Sequence, residues 1–454
     1  MKKYIHLIPA GFIALFITGW IVTSPGSTSA GNAEPVPAEL LINNTVPAPE
    51  ALQKEGELFS RWLKGHLNRN IVPAAAAGIV KGEQLVFSTG ACADKKTAFG
   101  IASLSKTFTA ILALRLAEEG ILSLDEGAST YLPGLEIARK TLKSKKVTLR
   151  HLLTHTSGLP TFGRNYRTFS FGKDAVQIPE QTNPAGYCYA YSNPGFVLAK
   201  LIIESASGSS YEENLKKYII GPLDMHSTTG RWSNGTGGIQ TTLEDLSRYA
   251  AMLIGRGKYR GREILSEDSF EEMLSSPLDR PETRADYHYS LSWEVITVEG
   301  SVDSYYKAGR WYGEASAVQV FPQKGIALIY VANPPAHLSK PFMSWRSGLT
   351  ARLRSLVRTA ESDRSICSTW PSLDQDELKR YAGTYRSIET GRNITITYQN
   401  RNLYSNIFGD PRPLFVFSSN RLLLGKSQKL HSFVWQDSRI IGLSLTGGFY
   451  ELVR

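Results

Sequence analysis

The chain has 454 residues, 42% of them hydrophobic and 20% charged, a balance that fits a globular protein and excludes a disordered or fibrous one. Its 51 Lys and Arg against 41 Asp and Glu leave a net charge of +10, a mild excess that suits contact with an anionic surface. No basic run is interleaved with aromatics as a nucleic-acid groove requires, so nucleic acid is not an expected partner.

Lys2 and Lys3 precede a mainly apolar stretch, residues 5–22, and small residues follow as far as Ala30. A positive start, an apolar middle and small residues before a cut describe a secretory signal. Residues 1–30 therefore read as a signal peptide or an uncleaved N-terminal anchor. Both readings export the bulk of the chain, to the periplasm or the outer face of the inner membrane. The second adds a membrane tether through residues 5–22. Residues 31–49, rich in Pro, Ala, Asn and Glu, form a linker.

Helical spacing begins near Glu50, with Leu52, Leu58, Phe59, Trp62, Leu63 and Leu67 on one face. Two short strands, 76–80 and 84–88, follow as a hairpin closed by Lys81-Gly82-Glu83. A buried helix runs over 105–119, where Phe108, Ile111, Leu112, Leu114 and Leu116 recur before the stop at Gly120. The densest basic stretch, 139–150, reads as a solvated face. Further helices are expected at 150–153, 194–205, 211–220, 243–254 and 266–274, strands at 291–298, 315–321 and 326–332, and a closing amphipathic helix at 341–358. Strands at both ends with helices between them predict an α/β or α+β domain over residues 50–360.

Residues 361–373 are a polar, Ser-rich connection. Seven short alternating strands are then expected, at 393–398, 402–408, 413–418, 421–426, 431–436, 440–445 and 449–453. Their near-regular spacing predicts an all-β small barrel or sandwich over 374–454. Cys92, Cys188 and Cys367 have neither metal spacing nor a disulfide framework; at most one bridge can form. Cys188, close to Tyr191, reads as a packing residue.

Three short patterns carry chemistry. Ser103 and Lys106 lie three residues apart at the head of the buried helix, and so share one face. A serine hydroxyl is a poor nucleophile until a neighbour takes its proton, and a lysine in an apolar pocket can be that neighbour. The same spacing recurs at Ser170–Lys173 and Ser304–Lys307, so only position and company distinguish Ser103. Tyr191-Ser192-Asn193 precedes a helix beginning near Pro194. A tyrosine facing a lysine cation gives up its proton more readily, and Asn193 can donate to a carbonyl and accept from an amide. The same residues also make a helix N-cap. Lys307-Ala308-Gly309 stands before the 315–321 strand and pairs a cation with a glycine that lets backbone approach a ligand. By itself it reads as a surface lysine in a strand turn.

Ser-x-x-Lys, Tyr-x-Asn and Lys-x-Gly in this order resemble the signature elements of the serine β-lactamase and penicillin-binding-protein superfamily. The tyrosine variant is closest to class C β-lactamases, D-alanyl-D-alanine carboxypeptidases, D-aminopeptidases and esterase relatives. Supporting stretches are Leu152-Leu153-Thr154-His155-Thr156-Ser157-Gly158-Leu159, Gly221-Pro222-Leu223-Asp224-Met225 and Gly237-Gly238-Ile239-Gln240-Thr241-Thr242. The resemblance covers residues 55–358 and implies an antiparallel sheet flanked by helices plus an all-helical subdomain. It also implies an acyl-enzyme on Ser103 assisted by Lys106, with Tyr191 as general base and acid. Asn193 would orient the substrate amide, Lys307 would hold a carboxylate or the proton network, and Gly309 would shape the edge strand. The oxyanion would be held by N–H groups of Ser103 and of the 315–321 strand. His155 is expected to be a satisfied internal histidine.

Two departures bear on substrate: Ala308 replaces the usual hydroxyl residue, and the bulky Arg310-Trp311 replaces small residues. The C-terminal region, opening on Leu378 to Tyr385, resembles the lipocalin-like β domains appended to some members. The expected substrates are peptides, β-lactams or esters, with peptidoglycan as a further partner, and no metal or organic cofactor is called for. The alternatives are a catalytically silent cell-wall or penicillin-binding protein, and an esterase or D-aminopeptidase without β-lactamase activity.

Overall fold

The computed structural model describes Arg61 and residues 74–453 apart from 138–145, 163–165, 173, 232, 279–284, 334–374, 388–390, 400–401, 407–411, 419–420, 425–428, 437–438 and 446–447. The expected signal or anchor, both linkers, the 341–358 helix and, Arg61 excepted, the helix through 52–67 lie outside these residues. Among the described residues no helix is long and apolar enough to cross a membrane.

Small and β-branched residues without polar alternation mark a strand buried on both faces, and β1 (Ala75–Lys81) is buried along six of its seven positions. It lies one strand in from the edge of a seven-stranded antiparallel sheet. The other strands are β2 (Gln84–Ala91), β3 (Ala285–Tyr289), β4 (Glu294–Val298), β5 (Ser301–Trp311), β6 (Glu314–Phe321) and β7 (Ile326–Ala332). The order across the sheet is β2-β1-β7-β6-β5-β4-β3. The first strand thus pairs with the last, Ala75 opposite Ala332 and Lys81 opposite Ile326, so the two ends of the segment close on each other.

Helix α1 (Ser105–Glu118) has no polar face; Phe108, Ile111, Leu112 and Leu116 are all fully buried. A helix apolar all round must lie inside, and this one packs against α2 (Asn193–Ser207) and α4 (Glu267–Leu274). The amphipathic α3 (Leu243–Ile254) lies on β1, β6 and β7. Gly120, at φ +69°, ends α1 in the left-handed conformation that glycine adopts without strain. These elements share one apolar core, while Ala75, Ala77, Ile79, Leu328 and Tyr330 form a second cluster from the alternate strand positions.

The α/β expectation therefore holds as an antiparallel sheet with helices, but two strands of that sheet, β3 and β5, escaped the sequence pattern. Ser301–Trp311 carries Asp303, Ser304, Lys307 and Gly309, so no run of alternating apolar residues announces it. The strand expected at 291–298 begins at Glu294. The C-terminal region is a closed antiparallel barrel of eight strands from Gly383–Ser387 to Gly448–Val453, one more than the seven expected. Its first strand pairs with its last, Thr384 opposite Val453, and closure leaves no unpaired edge. Tyr385, Ile394, Ile396, Leu403 and Leu443 fill a core of its own.

Candidate active site

Ser103 does not sit in α1 itself. It lies in the tight turn Ala102–Leu104 that delivers the chain from the short strand Ala98–Gly100 into the helix. The turn is fixed from several sides. Ile101 N–H donates to the Ile239 carbonyl at 3.0 Å, and Leu104 N–H donates back to Ile101 O at 3.1 Å. Ser316 on β6 donates its hydroxyl to the same Ile101 oxygen at 2.7 Å. Gly309 on β5 is pressed against this turn so closely that a Cβ there would stand 2.0 Å from Ile101 O and 2.8 Å from Leu104 N. The glycine of the third motif is thus required by packing: no other residue lets the sheet approach the serine turn.

Lys106 occupies the first turn of α1, fully buried, with Nζ 3.2 Å from Ser103 Oγ. Nζ also donates to Thr236 O at 2.9 Å and lies 5.1 Å from the Tyr191 ring centre and 5.4 Å from that of Phe196. Burial, and after it the nearby charge of Lys307, holds this amine well below the usual lysine range. From the other side the Tyr191 hydroxyl donates to Ser103 Oγ at 2.9 Å. Burial pushes that phenol up to about 12, against the opposing effect of its bond to Ser103. The expectation that a lysine cation would favour phenolate is therefore corrected. The same burial that draws the Lys106 amine down keeps Tyr191 protonated, so both groups shift towards their uncharged forms.

Tyr191-Ser192-Asn193 serves two purposes at once. Ser192 caps α2 by accepting the Gly195 N–H at 3.0 Å, with Pro194 in the first turn. That cap fixes Tyr191 just outside the helix, where Thr161 donates both N–H (3.0 Å) and hydroxyl (2.8 Å) to its carbonyl. Thr161 Oγ1 accepts the Asn193 N–H at 3.1 Å. The Asn193 Oδ1 is buried without a partner, an acceptor left open.

Lys307 is not the surface lysine of a turn that its motif read as in isolation. It lies well inside β5, 2% exposed, and donates to the Tyr289 hydroxyl at 2.6 Å. Its Nζ is 5.7 Å from the Tyr191 ring centre. Burial draws its amine down to about 8, partly countered by the Glu294 carboxylate. Glu294 in turn accepts hydrogen bonds from the Tyr287 and Tyr306 hydroxyls. Lys106 and Lys307 thus reach the same tyrosine from a helix and from a strand.

His155 is fully buried at φ +58° among the rings of Tyr189, Tyr191, Phe196 and Tyr289. Its Nδ1 accepts the Ser192 N–H at 3.0 Å, but Nε2 has no partner, so the expected full satisfaction is only half met. Burial, then the two lysines, holds it well below the usual histidine range, and the ring is neutral. Of the rival Ser-x-x-Lys matches, Ser304 and Lys307 share a strand, where residues three apart face opposite sides. Lys173 lies outside the described residues. Cys188 is buried, as a packing residue should be, and Cys92 is exposed. Thr236, Tyr289, Glu314 and Ser316 carry no motif in the sequence and reach the site through contacts spanning 130 residues or more in all but one case. Among the described residues no group of His, Cys, Asp and Glu side chains could hold a metal ion.

A sheet-and-helix body with this motif order has the fold of the β-lactamase-like serine hydrolases. The Beta-lactamase family pattern matches residues 59–341, more than half of the chain, and the protein belongs to that family. Penicillin-binding protein 4* of Bacillus subtilis (strain 168) is 27% identical over 385 residues, covering 72% of this chain and 80% of that one. Two solved structures share the fold. The octameric penicillin-binding protein homologue from Pyrococcus abyssi has a TM-score of 0.52 at 21% identity, covering 88% of this chain and 99% of that one. SurE with D-Leu has a TM-score of 0.58 at 18% identity, covering 88% of this chain and all (100%) of that one.

Proposed function

We propose that this protein is an exported serine hydrolase that works through an acyl-enzyme on Ser103 and acts on peptide, β-lactam or ester substrates. The observation that carries the proposal is the position of Ser103 Oγ, 3.2 Å from the buried Lys106 amine and 2.9 Å from the Tyr191 hydroxyl. The Lys106 amine, which burial holds well below the usual lysine range, takes the serine proton as Oγ bonds to the substrate carbonyl carbon. The oxyanion so formed is stabilised by the Ser103 N–H and a second donor from the adjoining sheet. As the tetrahedral species collapses, the bond to the leaving group breaks and Tyr191 hands that group a proton, which Lys106 then replaces. Water reverses the sequence and frees Ser103.

Asn193 Oδ1, buried and open, accepts a substrate amide N–H. Lys307, charged below about pH 8, offers a cation to a substrate carboxylate. Residues 1–30 act as the signal or anchor that exports the chain, and peptidoglycan peptides are the substrates such a location offers. Turnover of a p-nitrophenyl ester and of nitrocefin, each compared with Ser103→Ala, tests the reading. Loss of both in the variant supports it; turnover that survives the substitution refutes it.

One observation favours the narrower reading of an esterase or D-aminopeptidase without β-lactamase activity. Ala308 brings no hydroxyl to the carboxylate site, and Trp311 and Tyr312 stand 57% and 63% exposed at the end of the same strand. Ester turnover without nitrocefin turnover selects it.

A further inference from the structure

We propose that Glu314 is a positioning residue: its carboxylate holds the turn before Ser103 in a left-handed conformation, and so sets where the nucleophile stands. The inference rests on Ser103 being the nucleophile and extends the site to a residue that none of its three motifs contains.

Ala102, the residue before Ser103, has φ +46°, a conformation that side chains other than glycine rarely adopt. A strained backbone persists only where its surroundings hold it there. Glu314 Oε2, 212 residues away on β6, accepts the Ala102 N–H at 3.1 Å. Gly100, two residues upstream, leaves the room this needs, because a Cβ there would stand 2.2 Å from Glu314 Oε1. Burial raises the Glu314 carboxyl above its ordinary range and the Ala102 bond pulls it back, so this N–H offsets part of the cost of keeping the charge there. Two residues on along β6, Ser316 ties the neighbouring Ile101 carbonyl. Ile101 and Ala102 are thus held by β6 through one carbonyl and one N–H, with Ser103 next in the chain.

A positioning role predicts effects on rate that stability alone does not give. The test is the acylation rate with an activated ester, followed by intact mass, alongside the melting temperature. Glu314→Ala slows acylation on the order of tenfold or more, as a small displacement of a reacting atom does. Glu314→Gln, which keeps an acceptor for the Ala102 N–H, restores most of the rate. Ala102→Gly relieves the strain the clamp opposes, so Glu314→Ala costs less in that background than in the wild type. Gly100→Ala, which pushes the carboxylate aside without removing it, reproduces the slowing and serves if Glu314→Ala does not fold.

Equal acylation rates for wild type, Glu314→Ala and Gly100→Ala overturn the clamp while leaving Ser103 as nucleophile. So does a loss from Glu314→Ala that is unchanged by Ala102→Gly. A wild type that takes no acyl group from any donor overturns the functional reading and this inference with it.

Discussion

On the helix side of the site, Ser103 and Lys106 are three residues apart, and one turn of backbone puts Nζ 3.2 Å from Oγ. On the strand side, Lys307 owes its place to Tyr289 on β3, Glu294 on β4 and the packing of β5 between its neighbours. Both lysines are buried, yet their amines differ. Lys106 has no carboxylate countering its burial and is driven far down, whereas Glu294 holds Lys307 near 8. The difference separates the two amines: the one on the helix gives up its proton more readily, while the one on the strand stays a cation at neutral pH.

Ser103→Ala breaks the helix side most completely. Acylation disappears and turnover falls by roughly five to six orders of magnitude, read as steady-state hydrolysis of an ester. Lys106→Met keeps the bulk and removes the base, and the same assay then shows a loss of roughly 10³-fold with little change in substrate KM. Gly309→Ala attacks the joint between the two sides. Its Cβ meets Ile101 O and Leu104 N, both backbone atoms that cannot swing away, so denaturant unfolding shows a loss of about 2 kcal/mol or more.

Lys307→Met sharpens the comparison through pH. Removing that charge relieves the repulsion on Lys106, so the Lys106 amine rises and must lose its proton at higher pH. The acid limb of kcat/KM consequently moves to higher pH. In the wild type, affinity for a carboxylate-bearing substrate fades as pH passes about 8 and Lys307 discharges; in the variant this dependence is absent. An acid limb that stays put separates the two lysines and breaks this part of the account. The smallest effect is that of Tyr289→Phe, which deletes the hydroxyl receiving the Lys307 amine and weakens binding of a carboxylated substrate about fivefold. An unchanged KM would mean that Tyr289 does not fix Lys307.

The helix side was legible in the sequence because its signals are local: a three-residue spacing, an apolar helix and a glycine stop. The cap at Ser192 and the motif at Tyr191 were legible for the same reason. Lys307 was visible as a motif but not as a buried group, since nothing within β5 says that strands pack on both of its sides. Glu314 and Ser316 had no local signal, because their partners Ala102 and Ile101 lie more than two hundred residues away. The protonated Tyr191 could not be read either: composition shows a tyrosine and a lysine, but only the packed pocket shows that burial outweighs the bond to Ser103. In the barrel, alternation gave seven strands, and the closing eighth, Gly383–Ser387, is short and opens on a glycine.

The most direct test of the account is intact-mass spectrometry of the soluble chain after exposure to a penicillin and, separately, to an activated ester, with the adduct mapped by proteolysis. A single acyl group is expected on the peptide containing Ser103, absent in Ser103→Ala. An adduct on another residue, or none from either reagent, would contradict it.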